Sequence, residues 1–207
     1  MSEGTAQQHA ARRRNEFDRG AYWAKRQHLV YYSVVERYVR YVARDAKSLL
    51  DVGGTSPYIE WFDWIPERCT LDIAEPYTSP RVRGIKADFF AWKPGRRFDV
   101  VTCLQVLEHL DDPAAACRKI REITDSAVIS VPYKWDPKVT RKGAGHVQDP
   151  VDEAKLDGWM GCAPVNRTVV NEPFLPRWPR LVAWYWFGKT PVKVNMDAYR
   201  RAQRPIG

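Results

Sequence analysis

The feature that most constrains the fold of this chain is a repeated ending. Three short apolar runs in succession close on or beside an aspartate: "SLLDV" at Asp51, "RCTLDI" at Asp72 and "GIKADFF" at Asp88. Runs of this length, β-prone and without strict polar alternation, are the pattern of strands buried on both faces. "FDVVTCL" and "SAVISVP" extend the series to a fourth and fifth strand. Between those two, "DPAAACRKIREIT" predicts a helix with Asp112 as N-cap and Pro113 at its first position. "SPYIEWFDWI" opens a helix in the same way, with Ser56 as N-cap and Pro57 first. Ahead of the first strand, "YWAKRQHLVYYSVVERYVRYVARDA" places Leu29, Tyr32, Val35, Val39 and Val42 at helical spacing and predicts one long amphipathic helix. Strands interleaved with helices imply a parallel α/β sheet with helices on both faces. Such sheets bind ligands outside the carboxyl ends of their strands. Aspartate favours strand ends in any case, so one acid there carries little weight. Three in succession line one edge.

The loop after the first strand, "DVGGTSPY", narrows the ligand. A P-loop needs a Lys-Ser or Lys-Thr pair after its glycines, and a dinucleotide fingerprint needs three glycines. Gly53 and Gly54 are followed instead by Thr55, Ser56 and Pro57. The loop suits close backbone approach to something other than a phosphate.

With 207 residues, 44% of them hydrophobic, the chain supports a single domain over residues 1–207. Within it we expect an N-terminal helical segment at about 20–46 and a lid at about 133–149. The four cysteines form no C-x-x-C pair, which argues against zinc. Cys69 and Cys103 lie in apolar runs and are expected as buried thiols. No apolar run is long enough to span a bilayer, and the most apolar stretch, "RLVAWYWFG", fits a buried strand. A charged N-terminus without an apolar stretch points to the cytoplasm. The formal charge of +8 admits an anionic partner, yet much of it sits in "ARRRNEFDR" and "AYRRAQRPIG", which read as solvated ends.

Taken together, "LLDVGG", "LDIAEP", "ADFFAW" and "FDVVTCLQVLEHLDDP" resemble, in order and spacing, the class I S-adenosylmethionine-dependent methyltransferases over residues 48–132. The resemblance implies a Rossmann-like fold with a mostly parallel central sheet, and S-adenosyl-L-methionine as cofactor. It also implies cofactor contacts at Asp51, Gly53 and Gly54 for the methionine part, and at Asp72 for the ribose hydroxyls. Asp88 and Phe89 would hold the adenine, and Gln105 is a further expected cofactor contact at the same edge. The chemistry agrees, since a carboxylate accepts from vicinal hydroxyls and from an exocyclic amine. Thr55 and Pro57 stand where the family often has glycine, which makes this loop stiffer.

An aliphatic hydroxyl acceptor needs a general base or a metal to lose its proton. "QVLEHL" resembles the E-x-x-E-H metal motif of some O-methyltransferases in this family, including those of ubiquinone synthesis and of small-RNA ends, with Gln105 in place of the first Glu. Glu108 and His109 match, and His146, in the long segment after the fifth strand, would supply the downstream His. These three are the candidate catalytic residues, around Mg2+ or with one His as base. Asp149, Pro150 and Asp152 read as helix capping, with Asp149 also within reach of His146 as an orienting partner. Tyr133, Trp135 and Trp159 flank the expected cleft as substrate-contacting aromatics.

The stretch "GHVQDPVDEAKLDGWMG" resembles small actinobacterial methyltransferases acting on sugars. The acceptor expected is therefore a small molecule, a sugar or oligosaccharide such as a mannoside in polysaccharide biosynthesis. An RNA 2'-O-methyltransferase using the same site and a non-catalytic methyltransferase-fold scaffold are the alternatives. Phosphate contacts would make RNA binding fall steeply with salt. Intact acids and glycines at positions 51, 53, 72 and 88 argue against the scaffold. The oligomeric state stays open, a homodimer included.

Overall fold

The computed structural model describes residues 19–143, 145–173 and 175–190. The basic ends of the chain, Arg19 apart, lie outside the described residues. Seven strands form one sheet in the order β3-β2-β1-β4-β5-β7-β6. They are β1 (Ser48–Val52), β2 (Glu67–Asp72), β3 (Arg83–Lys86), β4 (Val100–Leu104), β5 (Ser126–Pro132), β6 (Asn166–Glu172) and β7 (Leu175–Trp186). The first five run parallel, and β7 pairs antiparallel with both β5 and β6. This is the Rossmann-like architecture expected of the sequence. "RLVAWYWFG" does form a buried strand, as part of β7.

Alternating side chains divide the core in two. Leu50, Val52, Cys69, Val101, Cys103, Ala127, Ile129 and Leu181 point to one face, covered by α3 (Pro113–Ile123) and α5 (Glu153–Met160). Leu49, Val100, Val128 and Val182 point to the other, covered by α2 (Val30–Val42). Cys69 and Cys103 are buried free thiols. Asp112 caps α3 as expected, accepting from the Ala115 N–H at 2.8 Å.

Four local expectations are corrected. The long N-terminal helix is two helices, α1 (Arg19–Arg26) and α2, with Leu29 extended between them. The break has a remote cause: the Glu172 carboxylate accepts from the Val30 and Tyr31 N–H groups, each at 2.9 Å, and so starts a new helix. The helix expected from Ser56 is a 3-10 turn, Pro57–Trp61, without a side-chain cap. Pro66 and β2 follow too soon for more. The third strand stops at Lys86, because the Asp88 carboxylate turns back to accept from the Phe90 N–H at 2.9 Å. The cap of α5 is Asp152, accepting from Lys155 N–H at 2.9 Å, not Asp149, whose carboxylate is engaged elsewhere.

The connections are uneven. Residues 73–82 and 87–99, on either side of β3, contain no α-helix. Residues 133–149, the expected lid, contain the short α4 (Pro137–Gly143). No helix among the described residues is long and apolar enough to cross a membrane.

Candidate active site

The carboxyl ends of β1, β2 and β4 set the first half of the site. Gly53 has φ +76°, and a Cβ there would stand 2.4 Å from a Val106 methyl. A Cβ on Gly54 would stand 2.3 Å from Asp51 Oδ2. Neither position accepts a side chain: the Gly53 N–H donates to the Leu71 carbonyl at 2.7 Å, and Gly54 is buried against Asp51, its carbonyl accepting from the Tyr77 N–H at 2.9 Å. The Asp51 carboxylate accepts from the Thr102 hydroxyl at 2.7 Å and the Tyr58 hydroxyl at 2.9 Å. Burial pushes its pKa up to about 7 in spite of both bonds. Asp72 Oδ1 accepts from the Ala74 and Glu75 N–H groups, each at 2.8 Å, which fixes the carboxylate at the tip of β2. Asp88 is exposed one turn further on. Phe89 turns inward to the core, and Phe90 is the exposed ring of the pair.

Gln105 follows β4 with φ +57°, a conformation that L side chains rarely adopt and that concentrates at functional sites. Its Nε2 donates to Ser130 Oγ at 3.3 Å, and the same oxygen lies 2.6 Å from the Tyr31 hydroxyl. Burial keeps that phenol well above its usual pKa, and so neutral.

The second half gathers around Glu108. A short turn, Leu107–His109, follows β4, and the segment after β5 folds back on it. The Glu108 carbonyl accepts from Val147 N–H at 2.9 Å and Gln148 N–H at 3.2 Å. His109 Nδ1 lies 3.2 Å from the Gly145 carbonyl. His146 is thereby brought to His109, with ring centroids 4.7 Å apart and edge to face. One ligand atom from each of Glu108, His109 and His146 lies within 4.8 Å of the others.

The details suit a cation. Glu108 is fully buried, and neither carboxylate oxygen has a hydrogen-bond partner. Burial pushes its pKa up to about 8. An unmet buried carboxyl is costly unless something completes it. His146 Nδ1 donates to Asp149 Oδ2 at 2.6 Å, which leaves Nε2 with the lone pair. Trp135 stacks on His146 at 5.5 Å and 20° and donates its indole N–H to the Pro179 carbonyl at 2.7 Å.

The structure thus brings Glu108, His109, His146 and Trp135 together. It places Tyr133 and Trp159 elsewhere: Tyr133 donates to Glu153 on α5 at 2.8 Å, and Trp159 lies under Lys155. Asp149, the partner of His146, and Arg180, packed on Trp135 and Tyr31, border this cluster. Arg180 lies against both Tyr31 and Trp135. The sequence gives no sign of Tyr31 or Arg180, since each sits in a run whose other residues are core.

Comparison with known proteins bears on this geometry. The family model described as a methyltransferase domain matches residues 22–169. No curated protein matches the chain in sequence. Magnesium protoporphyrin IX methyltransferase (ChlM) from Synechocystis PCC 6803, solved with bound S-adenosylhomocysteine, is 15% identical with a TM-score of 0.60, covering 88% of this chain and 95% of that one. The N-methyltransferase NodS from Bradyrhizobium japonicum WM9, also with S-adenosylhomocysteine, is 13% identical with a TM-score of 0.55, covering 75% and 87%. A putative methyltransferase from Haloferax volcanii, in complex with its Trm112 activator, is 11% identical with a TM-score of 0.55, covering 83% and 99%. With a methyltransferase family model over most of its length and the strand order to match, the chain belongs to the class I S-adenosylmethionine-dependent methyltransferases.

Proposed function

We propose that the protein is an O-methyltransferase that moves the methyl group of S-adenosylmethionine to a hydroxyl of a small acceptor, a sugar or oligosaccharide such as a mannoside. The observation that carries the reading is Glu108, buried with both oxygens unmet and joined by His109 and His146 within 4.8 Å. An N-acceptor with a free lone pair has no need of such a cluster, whereas a hydroxyl does. Glu108, His109 and His146 would hold a divalent ion, magnesium or, given two imidazole donors, a first-row ion such as manganese. Such an ion supplies Lewis acidity, lowering the pKa of a hydroxyl it contacts.

The chain's own residues do the rest. Gly53, Asp72 and Asp88 would hold the cofactor along the ends of β1 and β2 and beyond β3, with Asp51, buried under Gly54, bracing the loop through Thr102 and Tyr58. Asp149 orients His146 through Nδ1. Trp135, packed against His146, Arg180 and Trp178, fixes the imidazole and the guanidinium beside the triad. The basic charge of +8 keeps RNA 2'-hydroxyls as the second reading.

The test is a mass-spectrometric screen with deuteromethyl-labelled cofactor against mannosides, other sugars, phenols and short RNAs, run with and without chelator. The expected result is label on a sugar hydroxyl, abolished by EDTA and restored by magnesium or manganese. Label on nitrogen, or turnover indifferent to EDTA, would contradict the proposal.

A further inference from the structure

Arg180 has a role that methyl transfer does not assign. It lies on β7 opposite Pro132 of β5, and it is 5% exposed. A guanidinium carries five N–H donors. Here Nη1 reaches the Trp178 carbonyl at 3.4 Å, a long bond, and no Arg180 nitrogen is among the fully buried unpaired atoms of the described residues, so its other N–H groups are open to a ligand. Its acidic neighbour, Glu172, stands 3.9 Å from Nη1, and that carboxylate is already bonded to the Val30 and Tyr31 N–H groups. The flat faces are well packed: Cζ lies 5.1 Å from the Tyr31 ring centroid and 5.6 Å from that of Trp135. So the cation is stacked, roughly balanced in charge, and holds donors its own chain does not use.

The surroundings say where the missing acceptor comes from. Trp135, which packs on Arg180, also stacks on His146. Tyr31, the other ring, bonds Ser130 together with Gln105. The guanidinium is thus packed on the two rings that border the triad.

We propose that Arg180 anchors an anionic group of the acceptor, a carboxylate or a phosphate, carried by the same molecule as the hydroxyl to be methylated. This deepens the O-methyltransferase reading and rests on it for the role of the hydroxyl, though not for the anion affinity. The planar fork of the guanidinium matches both groups with two parallel bonds. Neutral sugars then give way to uronic acids, sugar phosphates or comparable hydroxylated anions.

The test is calorimetry on the full chain, with EDTA present so that no metal recruits the anion, with and without S-adenosylhomocysteine. The probes are glucuronate against glucose and mannose 6-phosphate against mannose, which separates carboxylate from phosphate. At least one anion should bind about tenfold or more tightly than its neutral parent, the scale of a charge-assisted pair of bonds. The preference should vanish in Arg180→Gln and shrink in Arg180→Lys, while S-adenosylhomocysteine binding, which reports folding, is unchanged. If Arg180→Gln fails to fold, Arg180→Lys decides. No preference for either anion in the unmutated protein, or a preference that survives substitution, overturns the proposal. Loss of cofactor binding in the unmutated protein would count against the methyltransferase reading instead.

Discussion

Asp51 is 1% exposed, under a glycine that leaves no room above it. Its pKa near 7 lies above the ordinary 3.8, so the folded protein holds this proton more tightly than the unfolded chain does. Its contribution to stability is full below about pH 4 and is lost as pH rises through about 7. An upward shift of this size is worth on the order of 4 kcal/mol at most. Asp51→Asn keeps the shape and cannot ionise. Denaturant titrations between pH 4 and 8 should show the wild type losing stability relative to Asp51→Asn as pH rises; parallel curves would contradict the assignment. This residue, with Gly53, Gly54 and Asp72, was legible in the sequence because strand, acid and glycine are adjacent there. Asp149 was only half legible: "QDPVDE" carries two acids fit to cap one helix, and the choice between them depends on where His146 folds.

Among the elements, β1, β2, β4, β5 and α3 could be read from local pattern, since each buries its own apolar run or supplies its own cap. Two elements were misjudged for local reasons, the 3-10 turn cut short before Pro66 and β3 ended by the Asp88 turn, and one because of a distant partner. α2 starts where it does because Glu172, at the end of β6, reaches its first N–H groups, and no periodicity reports a contact across 141 residues. The segment 133–149 lies between these cases. It holds α4, yet Thr140, His146 and Asp149 are buried within it. We expect it to open for acceptor entry and close over the bound pair, with Gly145, at φ +70°, in open space as a pivot. Limited proteolysis should cut it early in the free protein and more slowly with cofactor and acceptor bound. Equal slow cleavage in both states would make it a fixed wall.

For the molecule as a whole, the proposed cofactor and acceptor residues come from the two halves of the chain and gather at one edge of the sheet. The cofactor half, up to Gln105, follows from the order of strands and acids. The acceptor half does not, because it is assembled from the turn after β4, the segment after β5 and the start of β7, far apart in sequence. Its proposed centre is the cluster of Glu108, His109 and His146, and the most direct measurement is of whether that cluster binds an ion. Calorimetric titration of the S-adenosylhomocysteine-loaded protein with manganese and with magnesium should give one ion per chain. Glu108→Gln and His146→Ala should each weaken it by about ten- to a hundredfold or more, the cost of disturbing a metal's ligand set, with cofactor binding retained. No saturable binding of either ion, or equal binding in both variants, would contradict the account.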